Sequence, residues 1–288
     1  MSIIKLLPPC SYQGGKQRLA NQICDIIEER EGSDFVFYDL CCGSGAVSME
    51  MVNRDYEVVM VDKAPFGLFY EMIGKGIFDL SIFRSEINKL PNIEDIGQYL
   101  KDLSNQPVDN NLLVYHYLLL QAGAFGSKQI WIENDKWCNN TFRNYWKPTA
   151  TSNRKSPVNP MMPMPETLYS RVEEIILHGS EQISGHHIDI FDSFDIIKRD
   201  NRKKVIYIDP PYLNTTGYFG TFDIFEVIEK LKGEHIYVSE GFEFDLPNCE
   251  SVVLSEGRKK GNVSGTVKKD AVREILNIIG KRRNSYDS

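Results

Sequence analysis

The sequence predicts an α/β protein built on a doubly wound, mostly parallel sheet, with a small helical and hairpin domain inserted into it. Three observations carry that expectation. Strand-like apolar runs recur and break off at an acid or a glycine turn: "DFVFYDLCCGSG", "YEVVMVD" and "KVIYIDPPY". Helix-periodic stretches lie between such runs, and the resulting β-α-β units need parallel strands. From about 78 to 165 the chain turns rich in aromatics, amides and prolines, after which strand signals resume.

Taken in order, Leu19, Ile23, Ile26 and Ile27 have helical spacing and predict an amphipathic helix over 17–29. "DFVFYDL" reads as a strand ending at Asp39 in a glycine turn, "AVSMEMVNR" as the next helix, and "YEVVMVD" as a second strand ending in Asp62. The apolar run 111–122 reads as a helix, followed by "GSKQIWIENDKWCNNTFRNYWKP". "TATSNRKSPVNPMMPMP" holds four prolines and reads as a loop and domain boundary. Strands resume at "HHIDIF", "KVIYID" and "EHIYVSE", with helices over 166–178 and 223–232. Residues 1–77 and 166–288 are thus expected to form one domain and 78–165 an insertion.

Composition sets the class. With 288 residues, 42 % apolar and 25 % charged, the chain has an ordinary soluble globular make-up. Its six cysteines (10, 24, 41, 42, 138, 249) have no C-x-x-C spacing, so no disulfide framework or zinc site is expected, and the reducing cytoplasm is the natural location. No apolar run approaches the roughly 20 residues of a membrane span. "MSIIKLLPPC" is broken by prolines too soon for a signal peptide. The net charge of −7 speaks against a nucleic-acid partner, but residues 254–283 hold nine Lys/Arg against three acids. A basic face of that kind can bind phosphate, and a solvated terminal surface explains it equally well.

Gly43 and Gly45 sit between a strand and a helix, where glycine allows a tight turn and close approach of a ligand. A plain strand–helix turn uses the same residues. Asp39 before the turn and Asp62, 19 residues after Gly43, raise the nucleotide reading, because an acid at the second strand's end takes ribose hydroxyls. Ala46, Val47 and Ser48 stand where a dinucleotide fingerprint has its third glycine, so an adenosine ligand without pyrophosphate, such as S-adenosylmethionine, fits better.

With these residues in view, the chain resembles the DNA adenine methyltransferase family, its Dam-like branch, the D12 class. "YQGGKQRLA" (12–20) is similar to the family's N-terminal motif, "DLCCGSGAVS" to its cofactor motif, "HIDIF" to its adenine-contacting strand and "IDPPY" to its catalytic motif. The middle segment "YHYLLLQAGAFGSKQIWIENDKWCNNTFRNYWKP" is similar to the helix and hairpin with which that family reads DNA. The resemblance implies a Rossmann-like S-adenosylmethionine-dependent methyltransferase fold, with 1–77 and 166–288 catalytic and 78–165 an inserted target-recognition domain. It implies that Tyr12 and Lys16 contact the methionine part of the cofactor above Gly43 and Gly45. Asp39 would meet its amino group, Asp62 the ribose, and Asp189 with Ile190 the adenine. Cys41 stands where the family usually has an aromatic, so a smaller group would pack against the cofactor.

Methylating an exocyclic amine requires acceptors for both amine hydrogens, so that the nitrogen lone pair turns toward the methyl donor. Asp209 offers a carboxylate, and Pro210 offers a carbonyl on a fixed backbone, with Pro211 stiffening the exit. Tyr212 offers a ring for the target base, which must be flipped out of the duplex, with Tyr218 or Phe219 as a second wall. For reading DNA the candidates are Lys128, Gln129, Trp131, Asn134, Lys136, Asn139, Asn140, Arg143 and Asn144, with the basic loop Arg258, Lys259, Lys260, Lys268 and Lys269 for phosphates. Gln129 replaces a basic residue of the family, and Trp131 and Trp137 serve equally as packing for the insertion. The expected partner is double-stranded DNA, with no membrane and no metal; monomer and homodimer stay open. Two rivals stay open as well: methylation of RNA or of cytosine, and a binding protein that keeps the fold without turnover.

Overall fold

In Val36–Leu40 (β1) all five side chains are buried, and they alternate between two cores. Phe37 packs on one side of the sheet with Val58, Met60, Val205 and Tyr207. Val36, Tyr38 and Leu40 pack on the other with Val59, Ile206 and Ile208. A parallel sheet covered on both faces produces this continuous apolar pattern. The structure, a computed structural model, describes residues 4–92, 95–142, 165–211, 222–256 and 273–280.

Among the described residues the chain runs through Ala20–Glu31 (α1), β1, Ala46–Val52 (α2), Val58–Val61 (β2) and Pro65–Gly74 (α3). Leu80–Asn88 (α4), Ile96–Ser104 (α5) and Leu113–Gly123 (α6) lead to a hairpin, Trp131–Glu133 (β3) and Lys136–Cys138 (β4). Pro165–Gly179 (α7), Ile183–His186 (β5), Phe194–Arg199 (α8), Lys204–Ile208 (β6), Ile224–Lys230 (α9), His235–Glu240 (β7), Cys249–Ser255 (β8) and Glu274–Ile279 (β9) complete it. The seven-stranded sheet has the order β5-β2-β1-β6-β7-β9-β8. Its first five strands are parallel, while β9 pairs antiparallel with both β7 and β8. This is the mostly parallel, doubly wound α/β sheet that the sequence predicts. Strand order reverses between β1 and β6, and in such sheets a crevice opens at the carboxyl ends of the strands at that point.

Three details differ from expectation. Asp39 lies inside β1, whose last residue is Leu40. "HHIDIF" is not a strand: β5 ends at His186, and Asp189 caps a short 3-10 turn by accepting from the Phe191 amide. The antiparallel pair β8 and β9 carries no signal that the periodicity registered. Helices α4 to α6 share the core of the sheet's α3 face: Tyr117 of α6 packs edge-on against Phe66 of α3, and Phe83 of α4 stacks on Tyr169 of α7. No helix among the described residues is long and apolar enough to cross a membrane.

Helix α3 lies directly on β5 through glycines. A Cβ on Gly185 would come within 2.1 Å of the Tyr70 carbonyl carbon, and one on Gly67 within 2.0 Å of Asp62 O. Since backbone cannot yield as a side chain does, Gly185→Ala is expected to lower stability by about 1–3 kcal/mol or more. Urea unfolding would show this as a lower midpoint at unchanged slope.

Candidate active site

The residues after β1, after β2 and after β6 line one cleft of about 1070 Å³, part of it open to solvent. Its floor is the turn Cys41–Ser44. The Gly43 amide donates to Asp62 Oδ2 at 2.6 Å, and the Ala64 amide to Asp62 Oδ1 at 2.7 Å, which locks the β2 exit to the β1 exit. Burial pushes the Asp62 carboxyl up against these two amide bonds.

Over that floor lies Tyr12. The Gly15 amide closes a turn onto Tyr12 O at 3.0 Å, with Gly14 at φ 75°, as a type II turn requires. The Tyr12 ring meets Phe66 edge-on at 5.4 Å and covers Gly43, where a Cβ would lie 2.7 Å from the ring. Gly45 faces the other way. Its Cβ position falls 2.6 Å from Met60 and from the Tyr70 hydroxyl, so it serves close packing of α2 on the core and does not line the cleft. Cys41 lines the cleft with φ 73°, its amide held by Val61 O at 2.9 Å. Burial and the surrounding carboxylates keep its thiol protonated.

Asp39 points from β1 toward α2. Ser48 donates to its Oδ2 at 2.6 Å, while Oδ1 is buried with no hydrogen-bond partner among the described residues. Burial pushes this carboxyl up to about 7; the Ser48 bond works against that, and the charges of Asp209 and Asp62 add to it. A buried acceptor left open on a cleft wall calls for a donor or cation from a ligand.

At the exit of β6, Asp209 lines the same cleft with Pro210 and Pro211. Lys16, 3 % exposed, donates to Asp209 Oδ1 at 2.7 Å and to Gly14 O at 2.9 Å. Lys16 therefore grips the carboxylate of the proline corner. Burial lifts the Asp209 carboxyl to about 6, with Lys16 pulling it down and Glu274 pushing it further up. Asp189 accepts from Lys63 at 2.9 Å beside Ile190, and Phe191 and Phe222 add aromatic walls at that end. For Asp189 burial acts upward, but Lys63 and the Phe191 amide outweigh it and hold the carboxyl below its usual value. Sequence reasoning missed Ser48, Phe191, Phe222 and Glu274. Ser48 sits one helical face from the glycine turn and was open to notice; Glu274 belongs to a strand without a motif.

The hairpin residues divide. Gln129 is buried in the cleft wall, its amide donating to Gln13 Oε1 at 3.4 Å. Asn139 donates to Gln129 O at 2.8 Å, and Asn140 donates to Ser104 Oγ at 3.1 Å, so both tie the hairpin to its support. Asn134 and Asp135 at the tip have φ 51° and 57°, the left-handed pair of a two-residue hairpin turn. Lys128, Asn134 and Lys136 are exposed and Trp131 half-buried, whereas Trp137 is buried and stacks on Tyr117 at 6.4 Å. Tyr212, Arg143, Asn144, Tyr218, Phe219, Arg258, Lys259, Lys260, Lys268 and Lys269 lie outside the described residues. No cluster of three or more His, Cys, Asp or Glu able to hold a metal occurs among the described residues.

Residues 12–111 match the family model described as D12 class N6 adenine-specific DNA methyltransferase. That is the family the sequence resembles. The D12 match contains Tyr12, Lys16, Asp39, Gly43 and Asp62 and ends before Gln129 and Asp209. It supports methylation of DNA adenine in general. Among curated proteins the comparison finds no match.

Two outcomes follow from this geometry. Gly43→Ala, whose Cβ would lie 2.7 Å from the Tyr12 ring on a backbone of φ 50°, should lower stability by about 1 kcal/mol or more, read as a lower urea midpoint. Asp39, raised from 3.8 to about 7, keeps its proton in the folded chain where the unfolded chain has lost it. Its contribution to stability therefore falls as pH rises through that window. Asp39→Asn removes this fall, so the variant's stability relative to the parent should be higher at about pH 8 than at about pH 5 in urea unfolding.

Proposed function

We propose that this chain transfers a methyl group from S-adenosylmethionine to the N6 amine of an adenine flipped out of double-stranded DNA. The observation that carries this reading is that Asp209 and Pro210 line the same cleft as Asp39, Gly43 and Asp62. Two acceptors for an amine thus border the wall suited to an adenosine ligand. The residues fit the cofactor: the open Oδ1 of Asp39 suits a cationic amine, and the space above Gly43 admits no side chain beyond Tyr12. When bound, S-adenosylmethionine supplies an electrophilic methyl group on a sulfonium.

Asp39 takes the amino group, Asp62 the ribose hydroxyls, and Asp189 with Ile190 the adenine. Tyr12, Cys41 and Gly43 form the wall along the methionine part. Lys16 orients Asp209 through Oδ1, and Oδ2, which receives no hydrogen bond among the described residues, accepts one amine hydrogen. The Pro210 carbonyl accepts the other. With both hydrogens held, the nitrogen lone pair is turned out of the base plane toward the methyl group, and positioning with preorganised charge supplies the rate. The amine proton leaves after the nitrogen has become cationic, and Asp209, with a carboxyl near 6, is placed to receive it. Tyr212 stacks on the extruded base. Residues 78–165 act as the recognition domain, where Lys128, Trp131, Asn134, Lys136, Arg143 and Asn144 face DNA. Arg258, Lys259, Lys260, Lys268 and Lys269 contact phosphates, which position the duplex without specifying sequence. Cytoplasmic location follows from this substrate.

Incubation with methyl-labelled cofactor and mixed-sequence DNA should place label on adenine N6. Asp209→Ala should cut the transfer rate by about 10²–10³-fold or more while cofactor binding stays measurable. Label on cytosine or on RNA, or turnover retained in the variant, would overturn the reading.

A further inference from the structure

Glu274 belongs to no motif, yet it reaches the centre of the cleft's charge network. It opens β9, the strand between β7 and β8, and its Oε2 lies 3.7 Å from Lys16 Nζ. On the same nitrogen, Asp209 Oδ1 lies at 2.7 Å and Gly14 O at 2.9 Å. One ammonium, 3 % exposed, therefore lies between a carboxylate at the exit of β6 and one on β9. Water is excluded from the lysine, so the division of its charge is felt strongly at short range.

We propose that Glu274 is a positioning residue for the catalytic corner: by drawing on the Lys16 ammonium from 3.7 Å it limits the lysine's grip on Asp209 and leaves that carboxylate the stronger acceptor for the target amine. The last clause rests on the methyl-transfer reading; the division of the ammonium does not. A lysine given wholly to Asp209 would form a stronger charge-assisted bond to it and draw electron density from the oxygen the amine needs. A second carboxylate on the same ammonium weakens that pull. Among the described residues, the charged and titratable groups around Asp209 are Lys16 ahead of α1, Asp39 from β1, Cys41 after it, Tyr207 from β6, Glu240 at the end of β7 and Glu274 from β9. Among them Lys16 lowers the Asp209 carboxyl, and Glu274 raises it. Glu240, buried at 2 % exposure and itself lifted above its usual value by burial, adds a further acid to that side of the cleft. A Glu274 whose charge was spent on other partners at the start of β9 would leave the titration of Asp209 where it is.

The test uses the full chain with ¹³C-carboxyl-labelled aspartate, the Asp209 resonance being identified by its loss in Asp209→Asn. In Glu274→Gln, which keeps the shape and removes the charge, the Asp209 midpoint should move to lower pH; Glu274→Asp, with a shorter arm, should give a midpoint between the two. Thermal midpoints close to the parent's establish that both variants are folded. Single-turnover methyl transfer in Glu274→Gln should fall about three- to tenfold with its acid limb displaced the same way, at unchanged cofactor affinity. An unmoved Asp209 midpoint in the folded Gln variant would overturn the proposal. If the parent chain transfers no methyl group, the function proposed above fails while the titration still decides the role of Glu274.

Discussion

The ion pair between Lys16 and Asp209 joins positions 193 residues apart, and the geometry of the cleft hangs on it. Asp209 is placed at the rim because Pro210 and Pro211 cannot donate to a sheet ladder, which obliges β6 to end at Ile208. Lys16 is placed by the turn Tyr12–Gly15 and the first bonds of α1, where Leu19 and Ala20 amides donate to its carbonyl. Closing the pair fixes the side-chain acceptor at the β6 exit and, through Gly14 O, the turn that lays Tyr12 over Gly43. A buried pair of this kind contributes little net stability, since desolvation of both ions offsets their attraction. What it contributes is a single arrangement of the turn Tyr12–Gly15 against the exit of β6.

Around that one lysine the cleft gathers acids. Asp39, Asp62 and Asp209 line it, and Glu240 and Glu274 stand behind. Burial lifts the carboxyls of Asp39, Asp62, Asp209 and Glu240 above their ordinary values. Such an excess opposes folding of the empty cleft and favours a ligand carrying positive charge, whose binding then stabilises the folded chain. A donor with an ammonium and a sulfonium meets that requirement, and a dinucleotide with its pyrophosphate does not.

The hairpin is fastened to its support without consuming the residues that face outward. Gln121, fully buried in α6, donates to Lys128 O at 3.0 Å and accepts from the Ile130 amide at 2.9 Å, clipping the lead-in to β3 onto the helix. Trp137 stacks on Tyr117, and Asn139 and Asn140 complete the fastening. Amides that look equivalent along the chain thus fall into two kinds, one spent on scaffold and one exposed at the tip.

The alternation of apolar runs with acids and glycines was enough to foresee the parallel sheet, the turn at Gly43 and the corner at Asp209, because strand burial and proline chemistry are local and act wherever the chain goes. The sequence by itself determined, to within a residue, where β1, β2 and β6 end, since a proline pair or a glycine turn stops a ladder whatever surrounds it. Tertiary structure alone decided which of those ends meet. Lys16 lines the cleft and also grips Asp209 from across the sheet, whereas Gly45 is turned away from the cleft, with Met60 and Tyr70 against its outer side. Glu274 acquired a role from the register of an antiparallel strand that no periodicity announced. Contacts across 193 residues depend on strand order and on where buried charge finds a partner, and neither is written in the neighbours of any one residue.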